Sequence, residues 1–309
     1  MTRAPALLTA LLLAATAVPA GAVPQTAGPV EVEVTRDGVQ WTVDYVLSAD
    51  APVWVFNHSA LLREARAPWR PNRWTVRTPG VILDRQGNFD VLRSVDGGPV
   101  PRRIQIDMRP EPGDLEADYD PSLVFSDGTV ALYSDQFDAF PLESVEAVRA
   151  LPLDLSETGT PGDPATVTYR DRAGPVLFKG RRMAEATAAN AGTYVLFGEA
   201  RVEIGEGVTT VIDPALPGWL GQQLGEFTPR VMALYASRLG PNEGGQPTLM
   251  VSWTGPTRGV TSMGGSVLPG MISMNFEGEG VLDPEPAALA RARWFRVMRA
   301  RISGWGRTA

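Results

Sequence analysis

The chain has 309 residues, a formal net charge of −7, 44% hydrophobic residues, one histidine and no cysteine. This length and apolar content allow a large core and two domains, and the acidic balance excludes nucleic acid as an expected partner because phosphate neutralisation needs a basic face. The 32 glycines and 27 prolines favour many turns and short strands over a helical bundle.

Residues 1–22 have the pattern of a secretory signal peptide. Arg3 supplies a positive start, an apolar run extends from Ala6 to Val18, and Ala20-Gly21-Ala22 places small residues before a cleavage at Val23. The apolar run is short for a membrane span. The sequence therefore predicts export to the periplasm or the extracellular space, with no membrane span after cleavage. An uncleaved anchor is the alternative.

Residues 23–190 are predicted to form an antiparallel β-sandwich. Two runs with period-two alternation flank Asp37-Gly38, which is a strong hairpin signal. Many further short runs are separated by turn residues, which is typical of a sandwich. The predicted strands are Val30–Val34, Trp41–Val46, Val53–Phe56, Arg73–Arg77, Val91–Val95, Arg102–Met108, Ser122–Phe125, Val130–Tyr133, Ala165–Tyr169 and Val176–Gly180.

Residues 191–309 are predicted to form a partial α+β domain. Strands are expected at Tyr194–Gly198, Arg201–Ile204, Val208–Ile212, Leu249–Trp253 and Met271–Phe276, with a glycine-rich loop over Gly255–Gly265. Apolar residues at three-to-four spacing predict a helix over 217–239, which Pro229 should kink or split. A second helix is predicted from Pro284, capped by Asp283.

The residues that could bind a metal are few. A hydrolytic zinc site needs three protein ligands, and His58, at the end of a buried-looking strand, is the one imidazole. A structural role for His58 is favoured over a ligand role. The acidic stretch 114–120 lacks the spacing of a calcium loop and is predicted to be a solvated loop, as are Asp135, Asp138 and Glu143. The sequence thus assigns no catalytic and no metal-binding residue.

The stretch from Tyr194 to Phe295 resembles the start of the catalytic domain in aminopeptidase-type gluzincins, including the glycyl-aminopeptidase-like and aminopeptidase N-like proteins. Gly265–Met274 is similar to the strand that lines their substrate cleft, and Leu289–Phe295 is similar to the helical turn before their His-Glu-x-x-His. The resemblance implies a mainly β fold with an α+β second region, in which an N-terminal antiparallel β-sandwich precedes the beginning of a thermolysin-like domain. It also implies zinc in the parent family.

The same resemblance implies that Gly270, Met271, Ser273 and Met274 lie on the substrate-cleft strand. The glutamate that such a strand offers to a substrate amine is not evident in this sequence. Peptides are therefore the expected ligand class, without an assigned amine-binding carboxylate.

The final residues suggest a frameshift. The codons that can encode Val297–Arg307 permit, one base out of frame, the reading His-Glu-Gly-Ala-His-Phe-Trp-Leu-Gly-Gln, and Met298 and Trp305 force part of it. That reading is a metal-binding helix with its general-base glutamate. The arginine-rich character of 291–307 fits an out-of-frame translation. The alternative is a genuine basic helix at a natural C-terminus.

Two functional hypotheses follow from the sequence. The first is an exported protein of the zinc-aminopeptidase lineage, whose parent chemistry is metal-assisted peptide hydrolysis, but which lacks the zinc ligands in this chain and is inactive. No cofactor is then expected in this chain. The second is a non-enzymatic exported β-sandwich protein that binds or interacts with a partner. An apolar face of the last helix left without packing partners would favour truncation over a self-sufficient domain.

Overall fold

The computed structural model describes residues 28–155, 163–189, 191–205, 207–239 and 246–285. The predicted signal peptide and the predicted helix after Pro284, with its frameshift hypothesis, lie outside the described residues. In the part that is described, no helix is long and apolar enough to cross a membrane.

The first region is built almost entirely of strands. Two short helices, α1 (Trp69–Arg73) and α2 (Val145–Arg149), interrupt them. The strands are β1 (Glu31–Asp37), β2 (Gln40–Val46), β3 (Val53–Phe56), β4 (Trp74–Val76), β5 (Val81–Gln86), β6 (Phe89–Ser94), β7 (Arg103–Met108), β8 (Ser122–Val124), β9 (Val130–Tyr133), β10 (Ala139–Leu142), β11 (Thr166–Asp171), β12 (Val176–Phe178), β13 (Arg181–Met183), β14 (Glu185–Ala189) and β15 (Tyr194–Phe197).

These strands form three sheets. The first sheet has the order β14-β11-β1-β2-β7-β4, the second β10-β3-β6-β5, and the third β13-β12-β15-β9-β8. All pairings are antiparallel except β1 with β11, which is parallel. Inward-facing residues of the three sheets form one large core, to which β1 contributes Val32 and Val34, β3 contributes Trp54 and Phe56, and β15 contributes Phe197.

The second region is a mixed sheet covered by a helix. It contains β16 (Val202–Gly205), β17 (Val208–Ile212), α3 (Gly218–Leu239), β18 (Thr248–Gly255), β19 (Ser262–Leu268) and β20 (Met271–Glu277). The order of this fourth sheet is β16-β17-β18-β20-β19, with β17, β18 and β20 parallel and α3 connecting β17 to β18. Strand β19 pairs antiparallel with β20 and forms one edge.

The fourth sheet is buried on both faces. Leu220 and Leu224 of α3 pack on one face against Val251 and Met274. The other face contacts the third sheet through a separate cluster that includes Met250, Met271, Tyr133 and Tyr194. Burial on both faces explains why β18 reads as a continuous apolar run rather than an alternating one. The cluster between the third and fourth sheets also attaches the second region to the first.

The predicted fold class, mainly β with an α+β second region, is confirmed. The β1–β2 hairpin around Asp37-Gly38 is confirmed, and α3 continues through Pro229 as one helix rather than two. The predicted antiparallel sandwich contains one parallel pair and three sheets. The predicted boundary at 190/191 places β15 in the second domain, whereas β15 pairs with β9 and β12 of the first region.

Two of the strands that the sequence pattern did not predict, β10 and β19, depart from the usual strand composition for physical reasons. Strand β10 contains Pro141, which argues against a central strand, but β10 lies at a sheet edge where a missing N–H is tolerated. The first part of β19, up to Gly265, falls in the predicted glycine-rich loop. Strand β19 contains Gly264 and Gly265 and is also an edge strand, where side-chain packing matters less.

Candidate functional site

A cleft of about 1250 Å³ lies between the first region and the fourth sheet. Its walls come from residues 57–61 after β3, from the loop 114–120, from 153–155, and from the paired strands β19 and β20. The lining combines leucines with polar side chains that converge from different segments. Clefts of this composition are typical ligand sites.

His58 occupies the wall of the cleft that belongs to the first region. Its Nδ1 lies 3.1 Å from both carboxylate oxygens of Asp118, and Asp118 Oδ1 also accepts a hydrogen bond from Tyr119 N at 2.8 Å. The imidazole meets the ring of Tyr133 edge-on at 5.4 Å. Burial lowers the pKa of His58, but the hydrogen bond and charge of Asp118, together with the charges of Asp135 and Asp138, raise it above its usual value.

A buried arginine holds the segment that carries His58. Arg70 is 0% exposed, and its guanidinium donates to His58 O at 2.8 Å, to Asp90 Oδ2 at 3.1 Å and to Gln136 O at 2.7 Å. Arg85 donates to Ser59 O at 2.7 Å and to Asp90 Oδ1 at 3.1 Å. Two cationic side chains therefore fix consecutive carbonyl groups at the start of the cleft wall, which leaves His58 little freedom.

The opposite wall contains two of the four residues predicted on the substrate-cleft strand. Ser273 and Met274 line the cleft, on β20. Met271 lies in the interior cluster between the third and fourth sheets. Gly270 lies in the turn between β19 and β20, with a φ of 68°. The assignment of these four residues to a substrate site stays a prediction.

Sequence reasoning placed Gly265 and Ser266 on the cleft strand by resemblance, but missed the contribution of Met263 and Gly264 of β19. Residues Met263, Gly264, Gly265 and Ser266 line the cleft from this strand. A signal was present, because Leu268-Pro269-Gly270-Met271 has the composition of a two-residue turn and was followed by a strand that had been predicted. A turn of that composition, when it precedes a strand, favours a hairpin with another strand before it.

The acidic residues predicted to be solvated include some that the structure places inside. Asp114 is exposed, but the side chain of Asp118 is only 13% exposed and Asp138 is buried. Asp118 is half-buried beside His58, and the buried Asp138 accepts a hydrogen bond at its Oδ1 from Ala165 N at 2.9 Å. The prediction of a solvated loop is therefore wrong for Asp118 and Asp138.

Two of the acidic side chains predicted to be solvated, Asp138 and Asp120, have raised pKa values. Burial raises the pKa of Asp138 to about 7, against the opposing hydrogen bond from Ala165. Burial also raises the pKa of Asp120 to about 7, and the charge of Asp114 adds to this shift. A raised carboxyl pKa contributes stability that is fully present below the unfolded pKa of about 4 and is lost as the pH rises to the folded pKa. The raised pKa of His58 acts in the same direction.

The replacement Asp138→Asn is expected to increase the free energy of unfolding by about 1–3 kcal/mol at about pH 8 and to leave it unchanged at about pH 4. Asparagine carries no charge at either pH, and its Oδ1 can still accept from Ala165 N. Urea unfolding at both pH values measures the difference. Asp37→Asn is the control because that side chain is 63% exposed. An Asp138→Asn protein that is less stable than the wild type at pH 8 would contradict the prediction.

The described residues do not fit a zinc ion. No group of three or more histidine and acidic side chains in these parts of the chain converges to hold a metal. His58 is the one imidazole of the chain, and its Nδ1 is bound to Asp118. Zinc would need three protein ligands, so no chemical step through a metal is derived from these residues.

The comparisons with solved structures give zinc metallopeptidases of the M1 aminopeptidase N type as structural neighbours. An aminopeptidase N family protein from Idiomarina loihiensis matches 83% of this chain and 43% of its own length, with 11% identity and a TM-score of 0.48. An M1 zinc metallopeptidase from Deinococcus radiodurans matches 90% of this chain and 64% of its own length, with 13% identity and a TM-score of 0.36.

Leukotriene A4 hydrolase from Saccharomyces cerevisiae matches 86% of this chain and 44% of its own length, with 11% identity and a TM-score of 0.34. The chain thus spans less than two thirds of each of these three proteins. No protein-family model and no curated protein sequence matches the chain.

Proposed function

We propose that this chain is an exported protein of the aminopeptidase-type metallopeptidase lineage, that its cleft binds peptides, and that these 309 residues do not hydrolyse them. The observation that carries the proposal is the open edge strand β19, which forms one wall of the cleft. The leader pattern of residues 1–22 supports export, and the sequence resemblance of 194–295 supports the lineage.

An edge strand in a cleft is suited to an extended peptide. Strand β19 pairs with β20 on one side, and no other described strand pairs with its outer side. Alternate residues of an antiparallel edge strand direct their N–H and C=O groups away from the neighbouring strand, so a peptide can add to the sheet there. The leucines of the cleft lining offer apolar contacts to its side chains.

The proposed lack of hydrolysis follows from the residue inventory. Metal-assisted hydrolysis needs a bound ion that polarises the carbonyl group and activates water. The sequence offers one histidine and no cysteine for such an ion. The purified chain is therefore expected to contain no stoichiometric zinc and to show no chelator-sensitive cleavage of trialanine.

Peptide binding along β19 is tested by adding a large side chain to this strand where it lines the cleft. A Cβ atom on Gly264 would have open space, so Gly264→Leu is expected to fold normally and to weaken trialanine binding about tenfold or more. Gly218→Leu is the matched control, because Gly218 also has open space and lies at the start of α3, outside the cleft lining. Calorimetric titration measures affinity, alongside peptide cleavage and metal content.

The outcomes separate the parts of the proposal. Equal affinity of Gly264→Leu and wild type would refute binding along β19. Chelator-sensitive cleavage by the purified chain would refute inactivity. The second candidate, a non-enzymatic binding protein without peptide specificity, would be favoured if trialanine does not bind. Ile204, 76% exposed on the opposite edge strand β16, is the observation that favours such an interaction surface.

A further inference from the structure

One ring nitrogen of His58 is available to a ligand. Nδ1 is bound to Asp118, whereas Nε2 has no hydrogen-bond partner among the residues that the structure describes. The side chain is 30% exposed and lines the cleft, and Nε2 is not a buried unpaired atom. An imidazole with one nitrogen fixed and the other open is a typical polar contact for a ligand.

The hydrogen bond to Asp118 fixes which ring nitrogen of His58 stays protonated in the neutral imidazole. Both of its oxygens lie 3.1 Å from Nδ1, and an ionised carboxylate can only accept. The Nδ1–H is therefore retained in the charged and the neutral imidazole, and the proton that titrates is the one on Nε2. Charged His58 presents a donor to the cleft, and neutral His58 presents an acceptor.

The surroundings of His58 favour the charged form. The charge of Asp135, and that of Asp138 once Asp138 ionises, add to the effect of Asp118. Arg70 donates to the backbone carbonyl of His58 and is paired with Asp90. The titratable and charged groups around His58 and its backbone are Asp118, Tyr119, Tyr133, Asp135, Asp138, Arg70, Arg85 and Asp90.

We propose that His58 Nε2 donates a hydrogen bond to an acceptor oxygen of a peptide in the cleft, and that loss of the Nε2 proton turns this contact from attractive to repulsive. This inference rests on the proposed function, namely that the cleft binds peptides. A carbonyl oxygen and a C-terminal carboxylate share the required chemistry. A hydrogen bond from a charged donor contributes more than a neutral one.

The single histidine makes the test direct. Protein labelled with ¹⁵N at histidine gives one imidazole, whose Nε2 resonance and pKa can be followed by NMR. Trialanine is expected to shift the Nε2 resonance, and to bind about tenfold more weakly at about two pH units above the pKa measured for His58 than at about pH 5, once the pH dependence of His58→Gln has been subtracted. The midpoint of this change should follow the pKa measured for His58. Trialanine amide, which has no C-terminal carboxylate, distinguishes the two possible acceptors. An equal pH dependence of its binding indicates a carbonyl oxygen, and loss of that pH dependence indicates the carboxylate.

Asp118→Asn tests the positioning role of the carboxylate. The amide removes the negative charge beside Nδ1, so the pKa of His58 measured by NMR should fall and the midpoint of trialanine binding should fall with it. A purely structural role for Asp118 would leave the midpoint unchanged. If trialanine perturbs the amide signals of β19 but not His58, the inference is overturned while the proposed function stands. If trialanine does not bind, both fail.

Discussion

Replacing Asp213 by asparagine is expected to lower the free energy of unfolding by about 2–5 kcal/mol. Asp213 follows β17, is 1% exposed, and has both carboxylate oxygens engaged. Its Oδ2 accepts from Ser126 N at 3.0 Å and from Trp253 N at 3.2 Å. Its Oδ1 accepts from Ala215 N at 2.9 Å and from the hydroxyl of Ser126.

An asparagine side chain would turn an NH₂ group toward one of these pairs of donors. Donors would then face donors in a buried site, which costs more than the loss of the hydrogen bonds alone. Because Ser126 belongs to the turn between β8 and β9, Asp213 also joins the fourth sheet to the third. The substitution should therefore loosen the connection between the two regions as well as the sheet itself.

Urea unfolding with far-ultraviolet circular dichroism measures the effect of Asp213→Asn. Asp37→Asn serves as the control, because it is the same chemical change on a side chain that is 63% exposed, and it should shift stability by less than about 0.5 kcal/mol. A loss for Asp213→Asn as small as that of the control would show that the four hydrogen bonds do not hold the two regions together.

Replacing Arg70 by methionine is expected to lower the free energy of unfolding by about 3–5 kcal/mol. The side chain is completely buried, and its guanidinium lies 4.1 Å from the ring centre of Phe56 and 4.4 Å from that of Trp69. Methionine could fill much of this volume but would leave Asp90 with one cationic partner instead of two. The carbonyl groups of His58 and Gln136 would lose their donor.

The double replacement Arg70→Met with Asp90→Asn separates the cost of leaving the Asp90 carboxylate with one partner from the cost of the altered packing around Arg70. Removing the carboxylate should recover part of the lost stability, because a buried charge without its partner is the larger cost. Arg103→Met is the control, since that residue is exposed on β7. If the double variant loses more free energy of unfolding than the two single variants lose together, the unpaired charge of Asp90 is not the cause of the loss in Arg70→Met.

Arg70 contributes to the shape of the cleft as well as to stability. Its hydrogen bond to His58 O and that of Arg85 to Ser59 O fix the backbone of the segment after β3, which forms part of the cleft wall. Polar ligand contacts need such support, because a side chain that must be ordered on binding reduces affinity. The buried Arg70 and the open imidazole of His58 are therefore parts of one arrangement, although of these two residues only His58 lines the cleft.

Much of the secondary structure could be predicted from local pattern. Val53–Phe56, Val130–Tyr133 and Val208–Ile212 have the predicted bounds, and the long helix α3 begins one residue after its predicted start. Strands and helices of this kind carry their own periodicity of apolar residues, which the sequence displays directly. The assignment of β15 to the third sheet was not predictable in this way, because strand pairing depends on partners far along the chain.

The sequence by itself determined the type of most elements, the single histidine and the small number of histidine and cysteine side chains that could bind zinc. Only the tertiary structure decided that His58 meets Asp118, 60 residues away, and that Asp213 meets Ser126, 87 residues away. It also decided that Asp138 is buried and Asp118 half-buried rather than solvated. The physical reason is that periodicity reports which face of an element is apolar, whereas the partner, burial and pKa of a polar side chain depend on contacts between distant segments.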